Sequence, residues 1–244
     1  MNVALRRACV SGVICVTVLT AGVSPASAQS VSSLVTGTVT DFRNVASRES
    51  AIWLTIGLAA VGMNQSLDHP TSDAMSASNG AEGIFAPGEL IGGAKFQLAG
   101  ALVTYGVGRL SGHSRVSQFG ADLVRANIVA QALTGAIKMS VRRNRPDGTE
   151  FSFPSGHTSV SFAAATVVQR HFGWRAGVPA YAAASYVAAS RIQEKRHYLS
   201  DVAYGAIVGI VAGRAVTVGR GKYRFAVEPM VPAGGGAGIS LTRR

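Results

Sequence analysis

Three short polar segments of this sequence contain the residue types needed to hold a phosphate group and transfer it. Together they supply three fixed cations, a Ser-Gly turn, two imidazoles and one carboxylate within 64 residues. The segments are Lys138-x6-Arg145-Pro146, Pro154-Ser155-Gly156-His157 and Ser190-Arg191-x5-His197-x3-Asp201. Because fixed cations can balance the charge of a transferring phosphoryl group, this inventory predicts phosphoryl transfer without a metal ion.

The cations Lys138, Arg145 and Arg191 are the predicted phosphate ligands. The planar guanidinium of arginine matches two phosphate oxygens at once, and lysine adds a point charge. A single basic residue is most often a solvated surface charge. Three of them beside two histidines favour a shared anion site, and the sequence shows no cluster typical of metal ligands.

Ser155 and Gly156 lie where a loop enters a predicted helix. Ser155 is expected to cap that helix, and Gly156 lets the backbone come close to a ligand. The amides and the dipole of a helix start attract an anion, which His157 would then face. The similar Ser111-Gly112-His113 lacks the proline and the partner residues, and we interpret it as a turn.

His197 and Asp201 are four residues apart, which places them side by side on a helix or its first turn. A carboxylate that accepts a hydrogen bond from one ring nitrogen fixes the tautomer and frees the other nitrogen as a nucleophile. The spacing alone suits a pair that merely caps a helix equally well. The neighbouring Ser190-Arg191 and the other two segments favour a catalytic pair.

The elements that must position these residues are predicted to be helices. Apolar periodicity predicts helices over 51–63, 96–110, 116–140, 158–170, 176–191 and 199–218. Residues 29–45 are predicted to be a loose polar lead-in, 64–93 a long loop, and 142–153 a loop, because prolines and an Asp-Gly pair break helices there. The fold class is therefore all-α, a helical bundle, with a short C-terminal β-hairpin around Gly234-Gly235-Gly236.

Small residues recur every four positions along the last predicted helix. Gly205, Gly209 and Gly213 follow Asp201 on one face, and such a stripe lets another helix approach closely. The partner helix would lie within the bundle or, as the alternative, in a second copy in a membrane.

The N-terminus and the charge predict an exported protein that meets anions. Residues 1–28 have a charged start, an apolar stretch and Ala26-Ser27-Ala28, which predicts a signal peptide cleaved before Gln29, with a retained anchor as the alternative. Both cysteines lie in that segment. The chain carries a net charge of +11, or +9 without the signal, which favours phosphates and anionic membrane surfaces. No aromatic-interleaved basic groove suggests nucleic acid.

The apolar runs bear on whether the chain crosses a membrane. The runs at 51–63, 176–190 and 202–213 are each shorter than the ~18–20 residues that span a bilayer. This favours a helical domain in the periplasm, soluble or resting on a membrane. Integral insertion stays open, since flanking residues can extend such runs.

The three segments resemble the type 2 phosphatidic acid phosphatase (PAP2) family, which shares its fold and site with vanadium haloperoxidases and bacterial acid phosphatases. All eleven signature positions are filled in order, and family-like sequence covers roughly residues 96–213. The expected organisation is a signal peptide at 1–28, an N-terminal helix and polar loop without assigned role at 29–95, a catalytic core like that of the family at 96–218, and a basic, Gly-rich tail or hairpin at 219–244.

The resemblance implies a role for each matched residue. His197 would attack phosphorus and form a phosphohistidine, Asp201 would orient His197, and His157 would protonate the leaving group and later activate water. The phosphate oxygens would be bound by Lys138, Arg145, Ser155, Gly156 and Arg191. No cofactor is implied, although vanadate can occupy such a site.

The sequence is compatible with three functions. A metal-independent phosphomonoesterase acting on a lipid phosphate or a small organic phosphate is favoured. A vanadate-dependent haloperoxidase is the alternative, but the chain lacks the long additional helical regions of those enzymes. A non-catalytic binder of phosphate or lipid headgroups would need only the cations, so the two histidines and Asp201 argue against it.

Overall fold

The computed structural model of this chain describes residues 31–77 and 81–217, together with two strands at 225–230 and 238–243. The predicted signal peptide lies outside the described residues. The described helices are α1 (Val31–Val45), α2 (Arg48–Asn64), α3 (Asp68–Ser76), α4 (Ala81–Phe85), α5 (Pro87–Gly92), α6 (Ala94–Leu110), α7 (Ser114–Val141), α8 (Gly156–Phe172), α9 (Trp174–Gln193) and α10 (Leu199–Val216). A 3-10 turn, Gln65–Leu67, joins α2 to α3.

The long helices form the predicted all-α bundle, with α8 and α10 at its centre. Helices α7, α8 and α10 meet in an apolar core of small and branched side chains. Its fully buried members are Ala126, Val129, Ala130, Val160, Ala163, Val167, Ala212 and Val216. Alanine and valine are short, so the helix axes come close together and the helix ends are held in a fixed relation.

The glycine stripe of α10 packs against α8 within the same chain. A Cβ atom on Gly209 would lie 2.3 Å from the Ser159 carbonyl oxygen, and one on Gly205 would lie 2.7 Å from the Ser155 carbonyl oxygen. Only glycine therefore permits this approach of two backbones. The stripe therefore serves the packing of α10 on α8 in the same chain, not contact with a second copy.

Two segments differ from the sequence expectation. The predicted polar lead-in is helix α1, although its many valine and threonine residues have modest helix propensity. Tertiary contacts override that propensity. Arg125 of α7 pairs with Asp41 at 2.8 Å, and both residues are buried.

The predicted long loop at 64–93 is also wrong, because it contains the 3-10 turn and the short helices α3 to α5. Pro87 stands in the first turn of α5, where a proline favours rather than breaks a helix. The glycine, serine and proline residues of this segment separate short helices instead of forming one irregular stretch. These helices lie against α9 and α10, at the end of the bundle where the polar segments gather.

Among the described helices, α10 alone is long and apolar enough to cross a membrane, judged by length and composition. It spans 18 residues with a mean hydropathy of 1.4, and 67% of it is buried inside the bundle. The apolar run at 202–213 lies inside this helix, which the sequence predicted over 199–218. A buried core helix of a soluble protein has the same properties.

The two strands form the C-terminal hairpin that the alternating pattern suggested. β1 (Phe225–Met230) pairs antiparallel with β2 (Gly238–Arg243). The register places Val227 opposite Leu241 and Met230 opposite Gly238.

Gly209→Ala should destabilise the protein. The new methyl group would press on the Ser159 carbonyl, and overpacking of this kind costs about 1–3 kcal/mol. The matched control is Gly106→Ala on α6, where a Cβ meets nothing within 4 Å. That change should be neutral or stabilise by about 0.5–1 kcal/mol. Urea unfolding of the two variants measures both effects, and equal stability would contradict the close packing of α10 on α8.

Candidate functional site

The structure brings the eight predicted site residues together at one end of the bundle. Lys138 lies in the last turn of α7, Ser155 to His157 begin α8, and Arg191 lies in the last turn of α9. His197 and Asp201 flank the start of α10. The segments also touch directly, because the Ser155 amide donates to the Asp201 carbonyl at 3.0 Å.

The start of α8 offers two free backbone donors to an anion. The Ser155 side chain caps the helix, as expected, accepting from the Thr158 amide at 3.4 Å and the Thr158 hydroxyl at 2.9 Å. The amides of Gly156 and His157 begin the helix and have no acceptor within it. A Cβ on Gly156 would meet no atom closer than 3.7 Å, so packing within the protein does not require glycine there.

Lys138 binds the loop between α7 and α8 as well as facing the site. Its Nζ donates to the Phe151 carbonyl at 2.5 Å and to the Ser152 carbonyl at 3.2 Å, which leaves one of its three N–H donors. Burial, followed by the positive charge of Arg145, lowers the pKa of Lys138 to about 8, with Asp201 partly opposing the shift.

The two arginines are prepared for an anion in different ways. The Nε atom of Arg145 is buried without a hydrogen-bond partner among the described residues. Arg191 is 2% exposed and fixed, because its Nε donates to the Ser190 hydroxyl at 3.2 Å and its Nη2 to Glu194 at 2.5 Å. A guanidinium held by its own neighbours loses little freedom when it binds an anion.

His157 lies beneath α5 and faces the other histidine. Burial, then the charges of Arg191 and His197, lower the pKa of His157 to about 4, and Glu89 on α5 partly opposes this. A Cβ on Gly92 would approach the His157 ring to 3.3 Å. The imidazole of the unliganded protein is therefore neutral at pH 7, and a bound phosphate would favour its protonated form.

His197 is almost completely buried, at 4% exposure. Its Nδ1 lies 3.7 Å from Oδ2 of Asp201, within ion-pair range but longer than a hydrogen bond, and has no other partner among the described residues. Burial chiefly, and the charge of Lys138, lower the pKa of His197. Burial alone would raise the pKa of Asp201, but the contact with His197 and hydrogen bonds from Ser152 and the Tyr198 amide lower it.

Sequence reasoning missed two residues that bind Asp201, and a third that binds one of those two. Arg143 donates to Oδ1 of Asp201 at 2.9 Å, and the Ser152 hydroxyl donates to Oδ2. Asp68 of α3 binds the other nitrogen of the Arg143 guanidinium at 2.8 Å. The run Arg142-Arg143-Asn144-Arg145 offered a signal for Arg143, whereas Asp68 lies in the segment that we predicted to be a loop.

An open groove with a volume of about 410 Å³ begins one helical turn from His157. Ser161, four residues after His157 on α8, lines it and accepts a hydrogen bond from Gln97 at 2.8 Å. The groove then follows α6, α8 and α9 over mainly apolar side chains such as Val168 and Ala183. Phe96 at its rim is 53% exposed.

Binding of a metal ion in the candidate site would require several ligating side chains close together. Over residues 31–77 and 81–217, no three His, Cys, Asp or Glu side chains are grouped so that they could hold a metal ion. The groups that face the two histidines are mainly cations.

Comparisons with known proteins find similar sequences and a similar fold. Residues 119–224, which include all three polar segments, match the model of the PAP2 superfamily. The lipid A 1-phosphatase of Porphyromonas gingivalis is 42% identical over 107 residues, or 41% of this chain and 24% of that protein. The decaprenylphosphoryl-5-phosphoribose phosphatase of Mycobacterium tuberculosis is 37% identical over 107 residues, or 39% of this chain and 59% of that protein. The chain thus spans less than two thirds of either relative.

Two solved structures share the fold. LpxE of Aquifex aeolicus has a TM-score of 0.53 at 20% identity, covering 62% of this chain and 94% of that one. A transmembrane PAP2 type phosphatidylglycerolphosphate phosphatase from Bacillus subtilis has a TM-score of 0.54 at 20% identity, covering 75% and 94%. At this identity the likeness concerns the fold.

Binding of inorganic phosphate should weaken above pH 8. Because its pKa is lowered to about 8, Lys138 is charged below that pH and loses its charge as the pH rises through it. The dissociation constant of phosphate should then rise about tenfold per pH unit. Lys138→Arg stays charged and should flatten this alkaline limb. Calorimetric titration from about pH 7 to 9.5 measures it, and an identical limb in both proteins would show that Lys138 does not face the anion.

Proposed function

We propose that this chain, whose residues 119–224 match the model of the PAP2 superfamily, is a metal-independent phosphatase that works through a phosphohistidine on His197. The observation that carries the proposal is the position of His197. A carboxylate stands on the Nδ1 side of its ring, and the charges of Lys138 and Arg145 act on it from the site. A buried neutral imidazole that faces cations is suited to attack an anion that the cations hold.

In the first step the phosphate group binds to the cations and to the amides that begin α8. Nε2 of His197 attacks phosphorus, the bond from phosphorus to the ester oxygen breaks, and His157 gives its proton to the leaving oxygen. Because the pKa of His157 is low in the free protein, His157 gains this proton only when the substrate binds. The negative charge of the bound phosphate raises that pKa. The phosphorylated His197 then keeps its Nδ1 proton, which Asp201 accepts as a hydrogen bond.

In the second step the now neutral His157 takes a proton from water, and the oxygen attacks phosphorus. The bond between His197 and phosphorus breaks, and inorganic phosphate remains among the cations. Arg191, Arg145 and Lys138 stabilise the charge on the equatorial oxygens in both steps. The fixation of Arg191 by Glu194 and Ser190, and of Lys138 by loop carbonyls, reduces the reorganisation that each step requires.

We propose a lipid phosphate as the substrate, in preference to a small soluble ester. The apolar groove beside His157 offers a hydrocarbon chain a binding site next to the reacting phosphate. Two relatives are named for phosphorylated lipids, lipid A and a decaprenylphosphoryl sugar. The net charge of +9 after removal of residues 1–28 would draw the protein to anionic headgroups at a membrane surface outside the cytoplasm.

The protein should release inorganic phosphate in the presence of EDTA, and His197→Ala should abolish the release. No other group can form the covalent bond that His197 makes. The substrates to compare are phosphatidic acid, prenyl pyrophosphate, phosphatidylglycerol phosphate and an aryl phosphate. His157→Ala should lose about 10²–10⁴-fold with the lipid esters, but less with the aryl ester, whose leaving group hardly needs a proton.

Trapping of labelled phosphate separates this mechanism from its alternatives. After a quench that preserves acid-labile phosphohistidine, peptide mapping should find the label on His197. Label elsewhere, strict dependence on an added metal, or full turnover by His197→Ala would contradict the mechanism. Bromide oxidation by vanadate-loaded protein without phosphatase activity would instead support the haloperoxidase.

Ala183→Phe should raise the KM for lipid phosphates about tenfold or more and leave the aryl phosphate unchanged. Ala183 lines the groove from an exposed position on α9, so a phenyl ring would fill the groove without disturbing the core. The matched control is Ala182→Phe, an exposed neighbour that does not line the groove. Equal KM values in the two variants would count against the groove as the site of the hydrocarbon chain.

A further inference from the structure

The carboxylate of Asp201 is fully buried and held from two sides. Its Oδ2 faces His197 and accepts the Tyr198 amide at 2.8 Å and the Ser152 hydroxyl. Its Oδ1 accepts Nη1 of Arg143 at 2.9 Å. Arg143 therefore fixes the oxygen that points away from His197, and through it the plane of the carboxylate.

Arg143 is in turn fixed by three other groups. Its Nη2 donates to Asp68 at 2.8 Å, its Nη1 also donates to the Ser200 hydroxyl at 2.7 Å, and its guanidinium carbon lies 4.3 Å from the centre of the Tyr198 ring. The planar fork of arginine spans the carboxylates of Asp68 and Asp201 at the same time. Lysine, with a single nitrogen, does not reproduce this bridge.

Asp68 joins the short N-terminal helices to the start of α10. It is 0% exposed, and besides Arg143 it accepts the Ser200 amide at 2.8 Å and the Ser200 hydroxyl at 2.6 Å. Ser200 immediately precedes Asp201, so Asp68 holds both the backbone beside Asp201 and the cation bound to it. Asp68 lies outside residues 119–224, the region that matches the superfamily.

The charges explain why a second carboxylate is needed. If Arg143 were bound to Asp201 alone, the pair would be neutral, and Asp201 would be a weak acceptor for His197. With Asp68 sharing the guanidinium, the cluster of two carboxylates and one cation keeps one negative charge beside the imidazole. That charge becomes more favourable when His197 gains positive charge on attacking phosphorus.

We propose that Asp68 is a positioning residue of this site, which acts through Arg143 to fix Asp201 and to keep its negative charge available to His197. The inference rests on the proposed function for its catalytic consequence. It extends the site beyond the three polar segments to helix α3, which then contributes a residue to the positioning of Asp201.

Asp68→Asn should lower kcat about 10- to 100-fold and change KM little, by analogy with the loss of a hydrogen-bond partner that orients a metal-binding histidine. The amide can still accept from Ser200, but it carries no charge for Arg143. The matched control is Asp73→Asn, an exposed acidic residue on the same helix, which should match the wild type. The rate is expressed per active site, counted by phosphate labelling, so that a loss of folded protein is not mistaken for a loss of catalysis.

Nitrogen NMR of the imidazole tests the same proposal without any substrate. Asp68→Asn removes a negative charge and should lower the pKa of His197, whereas Arg143→Gln removes a positive charge and should raise it. The other groups that act on the His197 imidazole, namely Lys138, Arg145, His157 and Asp201, are unchanged in both variants. The second variant keeps the test valid if Asp68→Asn does not fold.

The outcomes separate this inference from the proposed function. Opposite shifts of the His197 titration in the two variants, with none in Asp73→Asn, would support the relay even if no phosphate ester were hydrolysed. An unchanged titration and tautomer in both variants would overturn it, even if the wild type proved to be an active phosphatase. A lower melting temperature in Asp68→Asn with unchanged kcat and titration would mean that Asp68 serves only to dock α3.

Discussion

The site depends on the burial of one carboxylate, Asp201, at the start of α10. A buried charge is tolerated only when hydrogen bonds and opposite charge surround it. Here the donors come from separate parts of the chain: the Tyr198 amide, the Ser152 hydroxyl and the Arg143 guanidinium. Satisfying Asp201 therefore requires the loop after α7 to close on α10. The same closure brings Lys138, in the last turn of α7, and Arg145, near the start of the loop, towards His197.

A second constraint fixes the other half of the site. The glycines of α10 let α8 approach until backbone atoms of the two helices are in contact, and the Ser155 amide then reaches the Asp201 carbonyl. The amides that begin α8 are thus held at a set distance from His197. The close approach at the glycines and the bond from the Ser155 amide to the Asp201 carbonyl both involve backbone atoms. Side-chain motion therefore cannot easily change the position of α8 relative to α10.

The sequence predicted the long helices, and it singled out the eight residues that the structure gathers at one end of the bundle, because both depend on local signals. Apolar spacing marked α7 to α10, and prolines and glycines marked the loop that ends at Ser155. It did not predict α1, whose valine and threonine residues favour a helix only weakly, and which tertiary contacts such as the Asp41–Arg125 pair dock on the bundle. It also did not predict α3 to α5 or the role of Asp68. The contact of Asp68 with Arg143 joins residues 75 positions apart, and no local pattern indicates such a pairing.

The site also shows how several cations are held together before any anion arrives. Mutual repulsion would disperse them, and the lowered pKa of Lys138 reflects both that repulsion and burial. Three of these cations meet internal acceptors: loop carbonyls for Lys138, Glu194 for Arg191, and the two carboxylates for Arg143. These acceptors occupy only part of each cation's donors. An anion that enters the site therefore meets donors that are already oriented. It also reduces the repulsion between the cations that the fold holds close together. The electrostatic stabilisation is greatest for the phosphoryl group of the transition state, which carries the most charge spread over the most oxygens.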